Sequence, residues 1–158
     1  MKRLSWKYIA GFVDGEGCLD MQYVRDRKTK EYRYIRPRLR IGLSAPGKHV
    51  LEILKANHGG SIYVKNLKGH AKYNENWLSH HYWQIEGKRL RPVLQNIVNH
   101  LEIKKEQARL VIWMIDNMVG KHVPDSARER LKSELKAMKI DPQRLSEKAA
   151  QEVIALMR

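Results

Sequence analysis

The sequence predicts an α+β fold, in the element order α-β-β-α-β-β-α with further helices at the C-terminal end. Three observations predict it. Apolar residues recur with helical spacing at 6–13, 48–57, 88–100, 104–119, 125–138 and 146–157. Strand-like alternation occupies 18–24, 32–43, 61–65 and 79–86, and glycines and polar stretches separate the two patterns. With 158 residues, 42% of them hydrophobic, the chain supports one compact domain with a real core. No helix approaches the roughly 20 apolar residues that a membrane span needs, so a soluble domain without a membrane partner is expected.

The first helix begins after Ser5, a good N-cap, and Gly15 and Gly17 are positioned to end it. Gly11, Asp14 and Gly15 fall at i, i+3 and i+4, so one face carries little side-chain bulk and admits another helix backbone. Glu16 falls at the C-terminal end, where the helix dipole is already negative. A hard divalent cation would relieve that conflict.

In the first strand Leu19, Met21 and Tyr23 point inward, and Asp20, Gln22 and Val24 outward. Residues 32–43 place Arg33, Ile35, Pro37, Leu39, Ile41 and Leu43 on one side and Tyr34, Arg36, Arg38, Arg40 and Gly42 on the other. Three arginines thus project from one face, roughly 6.8 Å apart along the strand. Ile62 and Val64 are expected inward, with Ser61, Tyr63 and Lys65 outward; Trp83 and Ile85 are inward, with Tyr82 and Gln84 outward. The outward sets suit base edges and phosphates: Arg and Lys prefer guanine, Gln can read adenine, and Asp accepts from cytosine. Two polar segments, 26–31 and 68–76, are read as hairpin tips, the first expected to order on a bound polyanion.

The second helix carries Val50, Leu51, Ile53 and Leu54 and stops at Gly59-Gly60, and the third carries Leu90, Val93, Leu94, Ile97, Val98 and Leu101. Both read as core covering one side of the sheet. The methionines and tryptophans of the later helices are packing residues.

Charge narrows the partner class. Thirty-one Lys and Arg against 17 Asp and Glu give a net charge of +14, a field that attracts polyanions. The lone cysteine, Cys18, excludes a disulfide framework or zinc ribbon, fits a reducing intracellular compartment, and reads as a half-buried strand residue. Seven histidines show no metalloprotease spacing, and the chain lacks a P-loop and a nucleophile elbow. Met1-Lys2-Arg3-Leu4 runs directly into the first helix, so no signal or transit peptide is expected.

The string Ile9-Ala10-Gly11-Phe12-Val13-Asp14-Gly15-Glu16-Gly17 resembles the signature of LAGLIDADG homing endonucleases, with Glu16 in place of the usual final Asp. Leu101-Glu102-Ile103-Lys104-Lys105-Glu106-Gln107-Ala108 resembles the family block in which a lysine, here Lys104, enters the active site. The resemblance implies an αββαββα unit with additional C-terminal helices whose antiparallel sheet forms a DNA-binding saddle. Within the single domain 1–158, residues 1–17 would be the dimer and active-site helix, 18–100 the DNA-binding part, and 104–158 the C-terminal helices. A single motif implies a homodimer packed through Ala10, Gly11 and Asp14, cutting a palindromic or pseudo-palindromic double-stranded DNA.

Glu16 and Lys104 are the implied catalytic residues, with Gly15 and Glu16 binding Mg²⁺, for which Mn²⁺ would substitute. The implied DNA contacts are Asp20, Gln22, Tyr34, Arg36, Arg38, Arg40, Lys48, Ser61, Tyr63, Lys65, Lys139 and Arg144. One departure is Leu43-Ser44-Ala45, where single-motif enzymes often place a glutamine; Ser44 or Lys48 would have to substitute. The resemblance further implies cleavage across the minor groove with 3′ overhangs, a role in intron or intein mobility, and a setting in an organelle or in a prokaryotic or phage cytoplasm. The runner-up is a non-catalytic intron-RNA maturase or DNA-binding module of the same fold; the retained acid at Glu16 favours the enzyme.

Overall fold

The computed structural model describes residues 2–65 and 79–158. Its elements run α1 (Trp6–Glu16), β1 (Gly17–Arg25), β2 (Tyr32–Ser44), α2 (Lys48–His58), β3 (Ser61–Lys65), β4 (His80–Glu86), α3 (Leu90–Ile97), α4 (Lys105–Asn117), α5 (Asp125–Ile140) and α6 (Ser146–Leu156). The four strands form one antiparallel sheet in the order β1-β2-β4-β3. Its inner face supplies Leu19, Leu39, Ile41, Trp83 and Ile85 to a core completed by Ile9 and Val13 of α1, Leu51 and Leu54 of α2, and α3 to α6. Among the described residues no helix is long and apolar enough to cross a membrane.

Local chemistry explains the boundaries. Ser5 Oγ accepts the Tyr8 N–H at 3.2 Å and starts α1. The helix runs through Glu16, past the expected stop at Gly15, and Gly17 caps it in an extended conformation. A Cβ on Gly17 would lie 2.6 Å from the Val13 carbonyl oxygen, so glycine is demanded there by a close approach. At the end of α2, Gly60 has φ 84° and a Cβ on it would meet the Gln84 carbonyl oxygen at 2.4 Å. The sharp turn lets the Gly59 carbonyl accept the Trp83 indole N–H at 2.9 Å, which fixes the largest core side chain.

Three expectations change. Val64, expected inward, is 53% exposed, because β3 is a short edge strand that the helical layer leaves partly open. The third helix is shorter than 88–100: α3 is flanked by 3₁₀ turns at Gly87–Arg89 and Val98–His100. The tip at 26–31 carries its own order, since Asp26 Oδ1 accepts the N–H groups of Lys28 and Thr29 at 2.7 and 3.0 Å, and Asp26 N–H donates to the Glu31 carbonyl at 2.8 Å. The assignment of 68–76 as a hairpin loop lies outside the described residues.

Candidate active site and nucleic-acid interface

Because Glu16 ends α1 and Gly17 opens β1 without an intervening loop, the motif helix delivers its acid to the rim of the sheet. Both Gly15 and Glu16 are exposed there. A carboxylate and a backbone carbonyl are the hard oxygen donors that Mg²⁺ selects, so the residues present fit such an ion. Among the described residues, however, no group of three or more His, Cys, Asp or Glu could hold a metal.

Asp14 fastens the second motif to the first. Its carboxylate oxygens accept the backbone N–H groups of Glu102 at 2.8 Å and Lys104 at 2.9 Å, pinning the turn that begins α4. The Lys104 ammonium returns to donate to the Asp14 carbonyl oxygen. Burial pushes the Lys104 pKa below its ordinary value, while the charges of Asp14 and Glu16 pull it up. Lys104 thereby projects toward the same rim as Glu16, from the other end of the sequence.

The outward face begins beside this rim. Gly17 pairs with Ile41 and Cys18 with Arg40, so the arginine strand starts where the motif helix ends. Arg38 donates from Nε and Nη2 to the two Asp20 oxygens at 2.5 and 3.1 Å, and Arg40 Nη2 donates to Asp20 Oδ2 at 2.7 Å. Arg36 donates to Glu86 at 3.1 Å. The Lys139 ammonium lies 3.6 Å from Cys18 Sγ, which brings the end of α5 to the rim as well.

Comparison with known proteins bears on the fold. The model of a family described as LAGLIDADG endonuclease matches residues 9–85. DNA endonuclease I-CvuI of Chlorella vulgaris is 24% identical over 132 residues, covering 80% of this chain and 73% of that protein. Over residues 9–85 the chain is thus similar to LAGLIDADG endonucleases. The structure of I-CvuI in complex with its target in the presence of 2 mM Ca superposes with a TM-score of 0.63 at 20% identity, over 92% of this chain and 90% of that one. A second I-CvuI structure, with the I-CreI target in 2 mM Mg and the DNA not cleaved, gives 0.62 at 20% identity, over 97% and 94%. I-LtrWI bound to target DNA gives 0.55 at 14% identity, over 89% of this chain and 43% of that one. These structural likenesses establish the shared fold.

On this scaffold the expected site residues separate into groups. Glu16, Gly15, Lys104 and Lys139 converge at the rim. Arg36, Arg38, Arg40, Asp20 and Gln22 share the outward face with Ser61, Tyr63 and Lys65 of β3, where Tyr63 stacks on Tyr82 with ring centroids 5.2 Å apart. Lys48 stands at the start of α2 and pairs with Glu52 at 3.3 Å. Ser44, at the end of β2, makes no side-chain cap to the turn that follows, so its hydroxyl is free of that duty.

Four residues depart from expectation. Ala10 is fully buried in its own protomer and cannot meet a partner. Asp14 spends its carboxylate inside the chain, as described above. Tyr34 hydroxyl sits 3.1 Å from Asp26 Oδ2 and 2.8 Å from His122 Nε2, which ties it to the segment between α4 and α5. Arg144 donates to both oxygens of the buried Glu134 at 2.5 and 2.8 Å and serves the helical layer.

His80 belongs to the outward face and was missed. Its imidazole and the Tyr82 ring close over Gly42, where a Cβ would lie 2.7 Å from His80 Nε2 and 2.6 Å from Tyr82 Cε1. The signal was available in the alternation that put Tyr82 and Gln84 outward.

Proposed function

We propose that this protein is a site-specific homing endonuclease that makes a divalent-metal-dependent double-strand cut in a long palindromic or pseudo-palindromic DNA target, as a homodimer. The observation that carries this reading is the meeting of Lys104 with the Gly15-Glu16 end of α1 at the edge of an arginine-bearing sheet face. Phosphodiester hydrolysis needs an activated water and stabilisation of charge on phosphorus and on the leaving 3′-oxygen. A hard divalent ion supplies both, and Mg²⁺ is the expected one, with Mn²⁺ able to substitute.

The chain's own residues do the rest. Glu16 and the Gly15 carbonyl provide oxygen donors at the rim. Lys104, held by the Asp14 carbonyl, presents a cation to the phosphate or orients the attacking water. Arg36, Arg38 and Arg40 follow the duplex groove, with Asp20 setting the position of two of them.

The homodimer follows from counting. One protomer offers one rim carboxylate, while two strands must be cut. The exposed side of α1 carries Tyr8, 47% exposed and stacked on Phe12, together with Gly11 and Gly15, where an added Cβ would meet nothing within 4 Å. The chain's own packing gives no reason for glycine at either position. A second α1 lying against that face does, and it would bring both Glu16 side chains together under one two-fold axis.

The test is cleavage of a randomised, palindrome-rich DNA library with Mg²⁺ and with Ca²⁺, followed by sequencing of the ends. Double-strand cuts in Mg²⁺ alone, with a two-fold symmetric consensus, support the reading. Binding without cuts in either metal would leave a binding module of the same fold, and normal cutting by Glu16→Gln would remove the acid from its role.

A further inference from the structure

A cavity of about 470 Å³ opens at the N-terminal end of α1, bounded by α2 and α3. It lies roughly 16 Å from Glu16, the length of an eleven-residue helix. None of its lining comes from the sheet, so it is separate from the face assigned to the target duplex. Its size falls within the range of small-molecule sites, ~300–1,000 Å³.

The lining is cationic and aromatic. Arg3 enters from the segment before α1 and Arg89 from the turn before α3, and among the described residues no carboxylate lines the cavity. Elsewhere in the helical layer arginines have partners: Arg91 pairs with Asp116, Arg128 with Asp125, and Arg144 with Glu134. Arg3 and Arg89 make no such ion pair among the described residues. Trp6 lines the same cavity, its ring 5.0 Å from that of His58 at an interplanar angle of 36°. Burial first, and then the Arg3 charge, push the His58 pKa below its ordinary value. Asn57 donates to the Lys2 carbonyl at 3.0 Å, which holds the arginine-bearing segment over the cavity mouth.

We propose that this cavity binds a nucleotide, its phosphate held by Arg3 and Arg89 and its base packed against Trp6. Two like charges converging on one cavity repel each other, and a phosphate between them reverses that penalty while offering each guanidinium a charge-assisted hydrogen bond. An aromatic wall beside two guanidiniums suits a planar base joined to an anion better than it suits an inorganic anion alone. Asn96, also lining the cavity, offers both donor and acceptor to a base edge.

The test is a titration of ¹⁵N-labelled protein at fixed ionic strength with inorganic phosphate, with uridine 5′-monophosphate and with the dinucleotide UpU, followed at the Trp6 indole N–H and the His58 ring. Saturable shifts at both groups are expected, tighter for the nucleotides than for phosphate. Preference for the monophosphate would indicate a free nucleotide, and preference for UpU a strand; either supports the site. The double variant Arg3→Gln/Arg89→Gln should weaken nucleotide binding by about tenfold or more, as loss of two charge-assisted contacts predicts. Both positions are exposed, so the variant should keep its fold, checked by its thermal melt. Equal affinity for phosphate and nucleotide, absence of saturable shifts at Trp6 and His58, or unchanged binding by the double variant would each overturn the proposal. No readout involves cleavage, so the result stands apart from the endonuclease reading.

Discussion

Asp14 and Lys104 hold each other by two routes: the Asp14 carboxylate accepts the Lys104 backbone N–H at 2.9 Å, and the Lys104 ammonium donates to the Asp14 carbonyl oxygen. The side chain of one positions the backbone of the other, and the reverse. Replacement by alanine at position 14 leaves two N–H groups of the 102–104 turn without their acceptor, at a cost of about 1–3 kcal/mol. Asp14→Ala should therefore lower both stability in a urea melt and the cleavage rate, while Lys104→Met lowers the rate with stability nearly kept. Equal stability of Asp14→Ala and the native chain would deny the carboxylate its part in setting the turn.

Gly11 is a helix-interior glycine whose Cβ position is empty. Leucine there should stabilise the isolated protomer by roughly 0.5–1 kcal/mol through helix propensity, yet block the approach of a second α1. Sedimentation should show Gly11→Leu as a monomer at concentrations where the native chain is dimeric. A Gly11→Leu dimer would move the interface elsewhere.

Asp20 neutralises the face it belongs to. By bonding Arg38 and Arg40 it fixes their directions and tempers their attraction for any phosphate. Asp20→Asn should tighten binding to unrelated DNA, reduce the ratio of specific to non-specific affinity, and steepen the salt dependence by about one ion. Binding isotherms on target and random duplexes across a salt series measure all three. An unchanged ratio would mean that the two arginines need no such guide.

Glu134, 2% exposed on its side chain, is the counter-ion of Arg144 and Arg130. The Arg144 hydrogen bonds, more than any other cause, hold its carboxyl below the ordinary glutamate value of 4.5. A depressed folded pKa contributes stability that is complete above the unfolded value and is lost as pH falls through the folded one. Arg144→Ala should cost about 1–3 kcal/mol at neutral pH, flatten the fall in stability as pH drops below 4.5 because the depression of Glu134 is largely removed, and leave DNA affinity unchanged. A large loss of affinity with stability intact would return Arg144 to the DNA interface.

Tyr23 governs the alkaline limb. Burial first, and then its hydrogen bond to Glu129 at 2.6 Å, push the phenol from 10.0 up to about 12. A raised folded pKa gives a contribution that is whole below pH 10 and is lost between 10 and about 12, because the folded state keeps a proton that the unfolded state releases. Tyr23→Phe should flatten the fall in stability over that interval, measured by urea melts from pH 9 to 12. An identical slope in the variant would assign the alkaline loss to other groups.

The nine-residue motif, the Lys104 block and the alternation of β2 were legible because each depends on local order: a period of two or 3.6 assigns faces, and a contiguous string places Glu16 at a helix end. The +14 charge likewise needs no fold to announce a polyanion partner. The partners of charged side chains were not legible, since Asp14 and Lys104 lie 90 positions apart and Arg144 and Glu134 ten apart on different elements. Local spacing made Asp14 a small-face residue and Arg144 a free cation. Only the docking of the 101–104 turn on the end of α1, and of the 141–145 turn against α5, gave their groups partners within the chain. The sequence by itself determined the fold class, the motif acid and the basic face, because these are properties of neighbouring residues. The tertiary structure decided which of those charges are already spent within the chain, because pairing depends on distances that the chain sets only when its elements close on one another.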